Sequence, residues 1–252
     1  MCTASWLTAG DQFHLLFNRD ERRTRAAGLP PREHSHEGVA YLAPIDPDSG
    51  GTWFAATERG LILALLNRSV DGQKSAPGRR SRGSLIPALV GARDLAEVGA
   101  LLASQALVEC APFRLFASLP GVPHLGAVWD GRELATQPIT TRSGLLCSSS
   151  RGDHEVTRVR SEQWSARQRQ IAEDGLTELR RFHRSHLPTR SAVSVCMHRD
   201  DAATVSHLEV VRSPEAVEIE YFSGSPCATG DSVHSRCALR RVSPPVAAPG
   251  TC

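Results

Sequence analysis

Residues 2–21 read CTASWLTAGDQFHLLFNRDE, and their pattern decides the fold. Cys2 to Leu7 and Phe13 to Phe17 are two short apolar runs, and Gly10-Asp11 between them is a turn signal. The pattern predicts an antiparallel hairpin whose second strand ends in Asn18-Arg19-Asp20-Glu21. Cys2 and Asp20 are eighteen residues apart with the turn midway, so the chain returns Asp20 to the sheet edge where Cys2 begins. Cys2 directly follows Met1, and removal of Met1 makes it the terminal residue. Such a residue joins a thiol nucleophile to an α-amino group that accepts a proton near neutral pH. A carboxylate at Asp20 then orients and partly compensates the ammonium or thiol, as the third member of a nucleophilic triad does. The ordinary readings are a small buried cysteine in a first strand and an aspartate that forms a turn. The two residues meeting in one hairpin favour the catalytic reading.

Outward from the hairpin, residues 28–48 hold four prolines among polar residues and are expected to form a long surface loop. Gly50 to Ala56 opens a second hairpin, which returns as Leu61 to Leu66, apolar on both faces and therefore central. A loop rich in Gly, Pro and Arg spans 71–83. Asp94 with Glu97 then resembles a capping box ahead of a helix carrying Leu95, Val98 and Leu102 on one face. Strands are expected at 113–119, 126–129 and 144–147, and helices at 156–173 and 176–183 with Gly175 between them. Three more strands are expected at 192–197, 204–211 and 217–222. Runs of strands and runs of helices in this order indicate an α+β fold of antiparallel sheets with helices outside. Residues 2–225 are expected to form a single domain, and 226–252 a loosely ordered tail of Ser, Ala, Pro and Arg.

The composition narrows the function classes. A net charge of +2 is too balanced to indicate a nucleic-acid or membrane-surface partner. Of the twenty-nine basic residues only Lys74 is lysine, so clusters of arginine carry little weight as site evidence. No window is long and apolar enough for a membrane span, and the start lacks the basic and apolar regions of a secretory leader. Seven cysteines without paired spacing argue against a disulfide framework and for a reducing, cytoplasmic location. There is no CxxC pair, and no metal is expected. Nothing in the sequence fixes the oligomeric state.

Six motifs, in order along the chain, carry a resemblance. They are Met1-Cys2-Thr3, Asn18-Arg19-Asp20-Glu21, Gly50-Gly51-Thr52-Trp53, Leu66-Asn67-Arg68, the Gly78 to Gly83 stretch GRRSRG, and Ser194 to Arg199, SVCMHR. Together they resemble the NRDE family, also called the transport and Golgi organisation protein 2 family. The resemblance implies an N-terminal-nucleophile hydrolase fold, a four-layer αββα sandwich of two antiparallel sheets between helical layers. It also implies kinship with cysteine amidases such as bile-salt hydrolases and penicillin V acylases. In those enzymes the terminal Cys attacks an amide carbonyl and an Asp some eighteen residues later assists, the position of Asp20. They carry an Arg three residues before that Asp, where this chain has Phe17; Arg19 is adjacent to Asp20 and by alternation points the other way.

The function implied is hydrolysis of a small acyl amide by Cys2, Asp20 and Asn67, with no cofactor required. The alternative implied by the family is a non-catalytic carrier of haem, acyl-CoA or a related lipid metabolite. Asn67 ends a buried strand, where its amide is either an oxyanion donor or a cap for the next turn. Asn18, Arg19, Trp53 and Arg82 are candidate ligand-binding residues. For Trp53 the competing reading is core packing, and for Arg82 a solvated loop. Cys147 to Arg151 is either a donor strip or a polar loop. His34-x-His36 and His183-x-x-His186 lack acidic or thiol neighbours in sequence, so they are not read as metal ligands. Met197 and His198 are haem axial ligands in principle.

Overall fold

Gly10 adopts φ 61°, a conformation glycine takes without strain, and Gly10-Asp11 closes the first hairpin as expected. The structure, a computed structural model, describes residues 2–69, 79–149 and 153–242. In chain order these form β1 (Cys2–Ala9), β2 (Gln12–Arg22), β3 (Leu29–His36), β4 (Val39–Ile45), β5 (Phe54–Thr57) and β6 (Ile62–Asn67). There follow α1 (Leu95–Ala103), β7 (Phe113–Ser118), β8 (His124–Trp129), β9 (Leu134–Ile139), β10 (Ser143–Ser148), α2 (Asp153–Ser165), α3 (Gln168–Asp174) and α4 (Leu176–His183). The chain ends in β11 (Ala202–Arg212), β12 (Ala216–Ser223), α5 (Pro226–Thr229) and β13 (Ser235–Arg240).

The strands make two antiparallel sheets, one ordered β10-β1-β2-β11-β12-β13 and the other β3-β4-β5-β6-β7-β8-β9. Alternation along the strands assigns residues to layers. Ala4, Trp6, Phe13, Leu15 and Phe17 face the second sheet and pack with Phe54, Ile62, Ala64 and Phe116. Leu16 faces the other way, onto Trp164, Ile171, Leu179 and Phe182 of α2, α3 and α4. Beyond the second sheet, Val98 and Leu102 of α1 pack with Leu63, Leu115 and Trp129. The result is the four-layer αββα sandwich. β2 lies between β1 and β11 with nearly every residue buried, so it forms the spine of the first sheet.

Three expectations are corrected, and β9 is a strand that none of them included. Residues 28–48 hold the β3–β4 hairpin; their prolines are accommodated because β3 is an edge strand and β4 pairs with β5 only through Tyr41 and Leu42. β9 was not legible because it is a largely exposed edge strand with little apolar patterning. Residues 192–197 are not a strand: side chains satisfy their backbone, with Arg160 donating to the carbonyls of Val193 and Ser194 and Asn18 to that of Val195. Within 226–242 the chain forms α5 and then β13, which pairs with β12 and turns Cys237 and Leu239 onto the intersheet core. The rest of the expected tail, 243–252, lies outside the described residues.

Candidate active site at the end of the first hairpin

Cys2 opens β1 with Arg19 of β2 on one side and Ser148 of β10 on the other. Directly opposed residues share a face, so the thiol and the Arg19 side chain both lie between the sheets. The Cys2 nitrogen donates to Ser148 Oγ at 2.9 Å, and the thiol accepts from the Asp20 backbone N–H. Burial pushes the Cys2 thiol above its ordinary value; the Asp20 N–H and the Arg19 cation pull it back.

A cleft of about 110 Å³ adjoins the thiol, and Cys2, Arg19, Asp20, Trp53, Asn67 and Arg82 all line it. Six of the seven residues singled out from the sequence therefore meet in one place. Asn18 does not join them. Its position on β2 turns it to the helical side, where Nδ2 donates to the carbonyls of His183 (2.9 Å) and Val195 (3.1 Å). Its Oδ1 accepts from Nδ1 of His183 (3.0 Å) and of His207 (2.8 Å). Asn18 is a buried junction between sheet and helices and does not line the cleft.

Arg19 points away from the Asp20 side chain, and that is the side carrying the thiol. Its guanidinium lies 4.5 Å from the centre of the Trp53 ring and its Nη2 donates to Asp46 Oδ2 at 2.7 Å. Its Nη1 is buried with no hydrogen-bond partner among the described residues. Asp46 also takes Arg25 at 2.8 Å. Asp46 was missed because it lies in the stretch read as loop, where a tight turn bonds its carbonyl to Gly50 N at 2.8 Å.

The Asp20 carboxylate is held from the helical side. Thr204 Oγ1 donates to it at 2.6 Å, and Arg160 of α2 approaches it at 3.5 Å, both side chains of this ion pair being fully buried. Arg160 also bonds to Thr3 Oγ1 of β1. The arginine-rich composition concealed it: only its inward position on α2 distinguishes it. Arg82 is not a solvated loop residue, since its Nη1 donates to the Pro112 carbonyl at 2.9 Å and burial lowers its pKa. Beside it Gly51 and Gly83 touch backbone to backbone; a Cβ on Gly83 would come within 2.8 Å of Thr52 N. The two glycine-bearing motifs are thus the two halves of one cleft wall. Asn67 ends β6 and lines the cleft.

The arrangement gathers the Cys2 thiol, a nitrogen held by Ser148, the acidic residues Asp20, Glu21 and Asp46, and the arginines Arg19, Arg25 and Arg82 around a small cavity. Among the described residues, the grouping of metal-ligating side chains lies elsewhere, beside α5, and no helix is long and apolar enough to cross a membrane.

The family whose model matches is Transport and Golgi organisation 2, over residues 1–119. A comparison with curated protein sequences finds no match. Among solved structures, the Caenorhabditis elegans ortholog of N-acylethanolamine-hydrolyzing acid amidase is similar at TM-score 0.54 and 10% identity, over 82% of this chain and 92% of that one. A variant of the conjugated bile acid hydrolase from Clostridium perfringens is similar at TM-score 0.54 and 12% identity, over 99% of both chains. A second variant of that hydrolase gives a TM-score of 0.52 at 12% identity, over 100% of this chain and 99% of that one. These likenesses establish the N-terminal-nucleophile hydrolase fold.

Proposed function

We propose that this chain, whose residues 1–119 match the Transport and Golgi organisation 2 family model, is an N-terminal-cysteine amidohydrolase acting on a small acyl amide. One observation carries the reading: Cys2 has its thiol on the cleft and its nitrogen fixed by Ser148 at 2.9 Å. Once Met1 is removed, that nitrogen is an α-amino group beside its own thiol. It takes the thiol proton, and the thiolate adds to the amide carbonyl. Asn67 or a backbone N–H donates to the resulting oxyanion. The ammonium then protonates the departing amine as the C–N bond breaks, leaving a thioester on Cys2. Water, deprotonated by the same amine, hydrolyses the thioester to the acid and restores the thiol. The Asp20 carboxylate supports the ammonium by charge.

The cleft argues for a compact substrate, since about 110 Å³ is well below the ~300–1,000 Å³ of drug-sized ligand sites. Arg19, with an unpartnered buried Nη1, and Arg82 suit a substrate bearing a carboxylate or another anionic group near the amide. The names of the similar structures, which describe hydrolysis of an N-acylethanolamine and of a conjugated bile acid, are in keeping with acyl-amide chemistry. The carrier alternative has less support. Met197, a haem axial ligand in principle, is fully buried against Ala202.

The test is a panel of N-acyl amides with acyl groups of graded size, assayed by amine release. Turnover by the chain lacking Met1, and its loss in a folded Cys2→Ala variant, is the expected result. Release that persists in Cys2→Ala contradicts the proposal.

A further inference from the structure

Four side chains spread over residues 186–227 converge outside the cleft. His186 follows α4, Cys196 and His198 lie in the irregular run before β11, and Cys227 lies in α5. One ligand atom from each lies within 4.8 Å of all the others. Cys196 Sγ is 3.5 Å and Cys227 Sγ 3.3 Å from His198 Nε2, and the His186 and His198 rings stand 5.1 Å apart. Cys196 is buried and the other three are partly buried. His186 Nε2 is buried with no hydrogen-bond partner among the described residues.

We propose that His186, Cys196, His198 and Cys227 bind one zinc ion in a closed tetrahedral site. Zinc–sulfur bonds of ~2.3 Å and zinc–nitrogen bonds of ~2.0–2.1 Å require ligand atoms some ~3.3–3.8 Å apart. The 3.3 and 3.5 Å sulfur–nitrogen separations already have that spacing, and the 4.8 Å limit leaves about an ångström of contraction for the rest. Two thiols and two imidazoles, with no carboxylate, are a donor set for zinc and do not suit calcium or magnesium. Packing of small apolar cysteines does not account for two imidazoles meeting two thiols. A disulfide between Cys196 and Cys227 would use neither imidazole.

Binding releases one proton from each thiol, and the two thiolates neutralise the dication. Arg190 donates to His198 Nδ1 at 3.3 Å, so Nε2 carries the proton in the neutral ring. Ligation through Nε2 moves that proton to Nδ1, and the exposed Arg190 side chain must turn away. With four protein ligands the site is structural rather than catalytic. It would clamp the segment behind Asp20: Ser194 gives its carbonyl to Arg160 at 2.7 Å, and the Met197 N–H bonds to Thr204 Oγ1 at 2.8 Å.

The test uses the full chain, fully reduced and stripped with a chelator, titrated with cobalt(II) as the probe and then with zinc. The expected result is one equivalent of cobalt with a thiolate charge-transfer band and tetrahedral ligand-field bands, displaced by one equivalent of zinc. Cys227→Ser and His186→Gln should each weaken zinc binding at least tenfold, while Cys237→Ala leaves it unchanged. Zinc should raise the thermal midpoint of the parent chain and not that of His186→Gln. A folded, reduced chain that takes up no cobalt overturns the site. So does a thiolate band that persists when Cys196 and Cys227 are both replaced by serine.

Discussion

The side chains of Asp20 and Arg160 lie behind the proposed nucleophile. Their ion pair is fully buried, so each charge offsets the other inside the fold. Asp20→Asn or Arg160→Met alone should cost about 3–5 kcal/mol in urea denaturation, because either leaves an uncompensated charge inside. The double variant should recover part of that loss; strictly additive losses would mean the pair is not coupled. Asn18 makes a second test at this scale. Asn18→Ala strands donors and acceptors on His183, Val195 and His207, so it should destabilise by about 2–4 kcal/mol while leaving the substrate KM unchanged. A raised KM in stable protein would return Asn18 to the ligand site.

At the scale of elements, sequence patterns were legible wherever they were local. The Asp94 side chain accepts from Glu97 N at 2.8 Å and starts α1 as its capping box requires, so Asp94→Ala should cost about 1 kcal/mol by the same denaturation measurement. The β1–β2 hairpin was equally plain, since Gly10-Asp11 and the alternation of Phe13, Leu15 and Phe17 lie within twenty residues. Edge strands were not, because β3 and β9 need neither apolar runs nor freedom from proline. β13 hid its period-two pattern in a composition of Ser, Ala and Arg. The run 192–197 looked like a strand because it is apolar, but its backbone is tied by Arg160 and Asn18 from distant parts of the chain.

For the whole molecule, the site was legible where two strands of one hairpin define it and hidden where several layers do. Cys2, Arg19 and Asp20 fall together by register alone, whereas Asp46, Ser148, Arg160 and Thr204 reach them only through the packed sandwich. The same packing makes the fold sensitive to acid. Burial and the Arg212 cation lower His124 to about 4; burial with His207 and Arg160 holds His183 well below its usual range. Both stay neutral when folded but take a proton below pH 6.5 when unfolded. Their contribution is therefore complete above pH 6.5 and is lost as the pH falls toward about 4. His124 alone removes up to about 1.4 kcal/mol per pH unit in that window. Denaturation at pH 7, 6 and 5 should show stability falling with pH, and His124→Gln should make that fall shallower. A stability unchanged between pH 7 and 5 would contradict the burial of these rings.

The central claim is that Cys2 is a terminal nucleophile, and intact-mass analysis before and after an acylating probe tests it most directly. The account predicts a chain lacking Met1 that gains one acyl group, mapped by fragmentation to Cys2 and absent in Cys2→Ala. A folded chain that retains Met1, or one acylated only at other residues, would contradict it.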